Sequence, residues 1–215
     1  MDLLLIIIEF LLILFSIIAH EMAHAYMSFF LGDPTPKETG RLTPNPLKHI
    51  DIWGLVFMLV FRIGWAKPVR INSEYYKNRR LGIFLVALAG PLTNFLIFIS
   101  SLLLSTVLVR FIGYEFINSN IFDILFTLSA INLSLCLFNL IPIPPLDGSR
   151  IVGSFLPANA YVGYMKVERY GFYIIMALLA LDELLSIVTG NPTLFSTIIE
   201  NVFFFFFNGF MKLLF

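Results

Sequence analysis

The chain has few charged residues and almost no cysteine. Of its 215 residues only 13% are Asp, Glu, Lys or Arg, 59% are hydrophobic, and the formal net charge is zero. So few charges are unusual in a soluble domain and ordinary in a protein that crosses a membrane several times. The absence of a basic run argues against nucleic-acid binding. The single cysteine, Cys136, excludes a disulfide within the chain and is expected to be a buried apolar residue.

Long apolar runs indicate several membrane-spanning helices. Five runs are long enough to cross a bilayer, at about residues 3–31, 82–110, 121–141, 170–189 and 194–214. The first is expected to be retained and not removed as a signal peptide, because no positive charge precedes it. We therefore predict an all-α polytopic membrane protein with five to six transmembrane helices, forming one integral-membrane domain over residues 1–215.

A sixth apolar stretch, Trp53 to Gly64, is too short to span in the usual way. We expect it to be re-entrant or interfacial, since non-helical backbone at membrane depth needs protein or a wet cavity around it. If it does not span, only Arg110 lies on one side, and the opposite side holds Lys37, Arg41, Lys48, Lys67, Arg70, Lys77, Arg79, Arg80, Arg150, Lys166, Arg169 and Lys212. Positive loops stay cytoplasmic, which predicts an external N-terminus. If the stretch spanned, the basic residues would divide between the two sides.

Residues 33–80 differ from the rest in their prolines, glycines and short mixed stretches. Such punctuation is typical of turns and short strands. We expect a small β-hairpin or sheet here, at the membrane boundary.

The most informative motif is His20-Glu21-Met22-Ala23-His24, within the first apolar run. Two histidines at i and i+4 on a helix point the same way and can hold one metal ion, and the glutamate between them can act on a metal-bound water. The motif predicts a hydrolytic zinc site inside a membrane.

A catalytic zinc site usually takes three protein ligands. His49 is the only other histidine, but Asp147 is the better candidate, because three prolines break the helix that ends near Asn139 and direct this carboxylate sideways. Topology supports this choice. If Trp53 to Gly64 does not span, then Asp147 and the two histidines lie on the same cytoplasmic side.

Taken together, these motifs resemble the site-2 protease family of intramembrane zinc metalloproteases. The likeness covers about residues 15–155 and rests on the HExxH motif, on Asn139, Pro142 and Asp147-Gly148, and on the stretches 40–51 and 89–94. It implies a three-helix catalytic core within about residues 3–155, accessory helices at about 165–215, and one Zn²⁺ per chain. It implies His20, His24 and Asp147 as ligands and Glu21 as catalytic base. The chain shows no PDZ or CBS domain, so we expect a minimal form.

The resemblance also implies the activity, which is hydrolysis of peptide bonds within the transmembrane segments of single-span substrates during regulated intramembrane proteolysis. The expected location is a prokaryotic plasma membrane, with the active site toward the cytoplasm. The sequence specifies neither the natural substrate nor an oligomeric state. A non-catalytic scaffold, a transporter and a protease for prenylated peptides are the alternatives, but the complete ligand set, the absence of a two-part repeat and the Asp147 segment argue against them in turn.

Two further features bear on catalysis. The negative charge that forms on the substrate carbonyl during hydrolysis needs hydrogen-bond donors, and Asn139 and Asn94 are our candidates for them. A substrate helix must unwind before attack, and an exposed strand within 40–72 would bind the unwound stretch by β-augmentation.

Overall fold

The computed structural model describes residues 3–54 and 67–214. Within those residues the chain forms eight α-helices: α1 (Leu3–Phe30), α2 (Thr35–Glu38), α3 (Arg79–Ile112), α4 (Asn120–Asn139), α5 (Asp147–Phe155), α6 (Ala158–Met165), α7 (Glu168–Thr189) and α8 (Leu194–Leu214). Five of them, α1, α3, α4, α7 and α8, are long and apolar enough to cross a membrane. The predicted all-α polytopic architecture is confirmed.

The helix ends follow local capping chemistry. Helix α3 begins three residues before the apolar run, because the Asn78 side chain accepts a hydrogen bond from the Leu81 N–H, and it ends where Gly113 adopts a φ of 103°. Its 34 residues correspond to about 50 Å at 1.5 Å per residue. This exceeds the hydrocarbon core of about 30 Å. Helix α3 is therefore long enough to carry residues both within the membrane and beyond its boundary.

Helix α3 is the centre of the bundle. It packs against α1, α4, α5 and α8, and α1 also packs against α4. The apolar core joins Phe98 and Leu102 of α3 to Leu133 of α4 and Phe203 of α8. Burial of such side chains contributes roughly 1.5–3 kcal/mol each in water, but in lipid close packing supplies most of the attraction. The three helices predicted to form the core, α1, α3 and α4, therefore contact one another, and α8 adds Phe203 to the apolar core.

The boundary region lacks the predicted sheet in its described residues. Between residues 33 and 54, and again between 67 and 78, it forms α2, two short 3₁₀ turns, Pro46–Lys48 and Ser73–Tyr75, and a helical stretch at 52–54, but no strand beyond one bridging residue, Ile50. Side chains take the place of a ladder: the buried Arg41 guanidinium donates to the carbonyls of Lys48, Lys67 and Pro68. The expected re-entrant element, Trp53 to Gly64, lies for the most part outside the described residues.

Candidate metal centre and active site

Helix α1 brings the two motif histidines onto one buried face. His20 and His24 lie one turn apart, and their Nε2 atoms are 3.0 Å from each other. Their rings meet nearly at right angles, and the residues are only 7% and 8% exposed. Helix α3 accommodates them at Gly90, because a Cβ atom there would lie 2.6 Å from His20 Nε2.

Asp147 reaches the same point from a different part of the chain. The turn through Pro142, Pro144 and Pro145 ends α4 and starts α5, and Asp147 is the first residue of α5. Its Oδ2 lies 3.1 Å from His20 Nε2 and 3.2 Å from His24 Nε2. The three ligands predicted from the sequence therefore lie together.

Two tight glycine contacts fix the turn that carries Asp147. A Cβ atom on Gly148 would lie 2.6 Å from the Ile141 carbonyl oxygen, and one on Gly171 of α7 would lie 2.6 Å from the Pro144 carbonyl carbon. Backbone can approach so closely only where no side chain intervenes. The position of the carboxylate thus depends on both glycines.

Hydrogen bonds on the far side of each ring determine where the histidine protons lie. His24 Nδ1 is 2.6 Å from the Val86 carbonyl oxygen, which can only accept, so this nitrogen carries the proton. His20 Nδ1 is 2.5 Å from Asn94 Oδ1, which also accepts. Each neutral ring therefore presents a lone pair at Nε2. Because carboxylate oxygens also carry only lone pairs, three electron-rich atoms converge within 3.2 Å.

This donor set fits a zinc ion. Zinc prefers imidazole and carboxylate ligands at about 2.0–2.2 Å in tetrahedral sites, which puts neighbouring ligand atoms about 3.3 Å apart. The observed separations of 3.0–3.2 Å are close to that value. Backbone or side-chain acceptors behind metal-binding histidines are the usual arrangement. A cation among the three atoms would also relieve the repulsion between their lone pairs.

Glu21 lines the same cavity as the three residues of this cluster. The cavity has a volume of about 440 Å³, and its wall includes His20, Glu21, His24, Asn139 and Asp147. Glu21 is half-buried, and its Oε2 accepts a hydrogen bond of 3.1 Å from the Val69 backbone N–H. A carboxylate therefore stands beside the cluster with a fixed orientation.

The two asparagines predicted as oxyanion donors lie in different places. Asn139 lines the cavity and uses one amide proton on the Leu135 carbonyl, so a second remains. Asn94 is fully buried behind His20, and its Nδ2 donates to the Ser16 carbonyl and to Asn132 Oδ1. Both amide protons of Asn94 are engaged away from the cavity, so we do not retain the oxyanion role for it.

His49, the other histidine considered as third ligand, lies apart from the cluster and donates through Nε2 to the Thr43 carbonyl. Two residues behind the site were not singled out from the sequence. Asn132 and Ser16 are in the network behind His20. The signal for them was present, because each is a polar residue inside an apolar run, and Ser16 precedes His20 by one helical turn.

Comparisons with known proteins identify relatives of the chain. The model of peptidase family M50 matches residues 105–181, which include Asp147. The chain is 41% identical over 167 residues to a Bacillus subtilis protein named "Putative zinc metalloprotease YwhC", covering 76% of this chain and 75% of that protein. It is 30% identical over 160 residues to "Zinc metalloprotease MJ0392" of Methanocaldococcus jannaschii, covering 74% of this chain but only 37% of that longer protein. No solved structure gives a significant match. The chain belongs to peptidase family M50 and is a membrane-embedded zinc metalloprotease of the site-2 protease type.

Proposed function

We propose that the protein cleaves peptide bonds within transmembrane segments of single-span membrane proteins, with Glu21 as general base and with His20, His24 and Asp147 as the ligands of one zinc ion. The observation that carries the proposal is the convergence of three lone-pair atoms at the wall of a cavity that also contains Glu21. The two histidines are on a helix that is long and apolar enough to cross a membrane, which favours a substrate that is itself within the bilayer.

The residues divide the chemistry among them. A zinc ion at the cluster would activate a water molecule and polarise the scissile carbonyl. The Glu21 carboxylate takes a proton from the water and passes it to the leaving amine. The Val69 N–H holds one carboxylate oxygen, which orients the base and leaves the other oxygen for the proton. Asn139, with its remaining amide proton, is the candidate donor to the negative charge on the carbonyl oxygen.

The segment 67–72 is the candidate binding edge for the unwound substrate. Pro68, Val69 and Ile71 line the cavity, and the segment is tied to its surroundings at both ends: the Lys67 N–H donates to the His49 carbonyl and the Asn72 N–H donates to Asp33. Peptide N–H and C=O groups along such an edge pair with an extended substrate. If proline at Ile71 leaves cleavage unchanged in a folded protein, this part of the proposal is wrong.

The decisive experiment compares the purified wild type with Glu21→Gln in liposomes that contain a panel of single-span substrates. The wild type is expected to hold one zinc per chain and to cleave at least one substrate inside its apolar segment. Glu21→Gln is expected to keep the zinc and to lose about 10²–10⁴-fold in rate, because an amide cannot accept the proton. Glu115→Gln, an exposed residue outside the cavity, is the matched control.

Two results would refute the proposal. One is a wild type without zinc, and the other is equal cleavage by the wild type and Glu21→Gln. Cleavage only of soluble peptides, with single-span substrates untouched, would leave a zinc peptidase but reject the intramembrane substrate class.

We also propose that the N-terminus is outside and the cluster lies toward the cytoplasm of a prokaryotic cell. The basic residues support this orientation. If Trp53 to Gly64 does not span, all the basic loop residues named above except Arg110 lie on the side of the membrane where the first helix ends, after His24. The test starts from Cys136→Ala and places a single cysteine at Thr39 or at Ile117. Thiol reagents that do not cross membranes are expected to label Ile117→Cys in intact cells and Thr39→Cys only after lysis. The opposite pattern would reverse the orientation.

A further inference from the structure

A chain of buried polar side chains runs through the bundle to His20. Ser16 of α1, Asn94 of α3 and Asn132 of α4 are each 0% exposed. Asn132 Nδ2 lies 2.8 Å from Ser16 Oγ, Asn94 Nδ2 lies 2.8 Å from Asn132 Oδ1, and Asn94 Oδ1 lies 2.5 Å from His20 Nδ1. Polar groups inside membrane helices are costly unless paired, and they are found mostly at functional places.

The donor and acceptor of every hydrogen bond in this polar network follow from Ser16, the member farthest from His20 along the network. The Ser16 hydroxyl donates to the Leu12 carbonyl at 2.7 Å, so Ser16 Oγ accepts from Asn132. Asn132 also donates to the Leu128 carbonyl at 2.9 Å, which uses its second amide proton. Its Oδ1 is therefore left to accept from Asn94.

The hydrogen bond between Asn94 and His20 connects this network to the metal cluster. Because Asn94 Nδ2 donates to Asn132, the Oδ1 atom of Asn94 faces His20 and must accept. His20 is thus required to carry its proton on Nδ1, and its Nε2 is left with a lone pair. A proton on Nε2 would instead put two acceptors against each other at 2.5 Å. Backbone carbonyls of two different helices therefore decide which nitrogen of His20 is free.

We infer that Asn94, Asn132 and Ser16 are positioning residues, which hold His20 in the Nδ1-protonated form and present its Nε2 to zinc. The inference rests on the proposed function, since it takes His20 as a ligand. His24 has no comparable dependence, because one backbone carbonyl, that of Val86, fixes its proton directly. The quality of the metal site therefore depends, through His20, on the correct packing of α1, α3 and α4 together.

The test measures zinc affinity of the full-length protein in detergent by competition with a chromophoric chelator. Asn94→Leu, which keeps the approximate size but cannot accept, is expected to weaken zinc binding about 10–100-fold. Asn132→Leu should have a smaller effect and Ser16→Ala the smallest, following their distance from His20 along the chain. Asn94→Asp should recover most of the affinity, because a neutral carboxylic acid can donate to Asn132 and accept from His20. Ser129→Ala is the control, since this buried α4 hydroxyl bonds only to the Phe126 carbonyl of its own helix.

A second measurement covers variants that fail to fold. Nitrogen-15 NMR of the metal-free, histidine-labelled wild type is expected to show His20 protonated at Nδ1, whereas Asn94→Leu, which removes the acceptor at this nitrogen, is expected to show a mixture of both forms. The inference is overturned if wild-type His20 carries its proton on Nε2, if Asn94→Leu binds zinc like the wild type, or if Ser129→Ala weakens binding as much as Asn132→Leu. A wild type that binds no zinc would instead refute the proposed function, so the two failures are distinguishable.

Discussion

The histidines and Glu21 belong to one helix, yet different parts of the molecule hold them. His20 and His24 are fixed from inside the bundle, by Asn94 and by the Val86 carbonyl of α3. Glu21 is fixed from the boundary region, by the N–H of Val69. In the proposed mechanism, the metal-binding half of the site thus depends on helix packing, and the proton-transfer half depends on a loop.

The loop has its own anchor in Asp33. This fully buried carboxylate accepts hydrogen bonds from Ser28 at the end of α1, from the Thr35 N–H and from the Asn72 N–H. It therefore joins α1 to the segment that holds Glu21. The comparison predicts that damage to helix packing removes the metal, whereas damage to the loop lowers activity and leaves the metal in place.

Gly90→Ala should have the largest effect. The added methyl group would lie 2.6 Å from His20 Nε2 and closer still to His24 Nε2, and neither ring can turn away without losing its Nδ1 hydrogen bond. We expect zinc affinity to fall on the order of 100-fold or more, the upper end of what a displaced metal shell costs. Chelator competition measures this loss. Gly209→Ala is the control, because a methyl group there meets nothing within 4 Å.

Gly171→Ala tests whether α7 takes part in the metal half. The methyl group would overlap the Pro144 carbonyl, which belongs to the turn that carries Asp147. Overpacking of this kind costs about 1–3 kcal/mol. Relief by movement of the turn should lower zinc affinity about tenfold, which corresponds to about 1.4 kcal/mol. Gly163→Ala, with open space around it, should leave zinc affinity unchanged. An unchanged affinity in Gly171→Ala would mean that α7, and not the turn, gives way.

The sequence predicts the helices and the common face of His20 and His24, for physical reasons that act locally. A span must be apolar over a fixed length, so the run at 121–141 gives α4 at Asn120–Asn139. The i, i+4 spacing of His20 and His24 likewise fixes their common face without reference to the rest of the chain.

The failures involve partners that are distant in sequence. A sheet was expected between 33 and 80, but in the described residues Arg41 and Asp33 satisfy the backbone groups across gaps of more than 20 residues. The oxyanion role predicted for Asn94 fails because the amide instead bonds to Asn132 and His20. These partners lie 38 and 74 residues away, so the sequence around Asn94 does not reveal them. A pattern within one segment cannot specify which side chain on another helix will meet it.

Asp33→Asn should damage the glutamate half alone. An asparagine can accept at one oxygen only, so either Thr35 or the pair Ser28 and Asn72 loses its acceptor. Hydrogen bonds to a charged group contribute roughly 1.5–3 kcal/mol, so we expect stability to fall by about that amount and cleavage to slow several-fold with zinc content unchanged. Activity and bound zinc are measured on the same sample. Loss of zinc in this variant would contradict the division of the site.

The stability that Asp33 contributes should depend on pH. Burial alone would raise the pKa of this carboxyl, but the hydrogen bonds from Thr35, Asn72 and Ser28 outweigh it and leave the pKa below its usual range. A carboxyl with a lowered pKa in the folded state stabilises the fold above its unfolded pKa of about 3.9 and loses that contribution as the pH falls through the folded value. The difference in unfolding free energy between the wild type and Asp33→Asn should therefore be constant near neutral pH and shrink below about pH 4. A difference that does not change with pH would show that the charge is not what matters.

Asp182→Asn should have the smallest effect, because this residue is expected to belong to neither half of the site. Its carboxylate accepts from the Leu194 N–H at 2.8 Å and from the Phe195 N–H at 3.1 Å, and so caps α8 from α7. Loss of one acceptor at such a cap costs about 1 kcal/mol. Thermal unfolding should shift slightly, while zinc affinity and cleavage match those of Glu183→Gln, an exposed neighbour. If Asp182→Asn weakened zinc binding as much as Gly171→Ala, the helix pair α7–α8 would help to hold the proposed zinc ligands. The contrast between ligands held by helix packing and a base held by a loop would then have to include this helix pair.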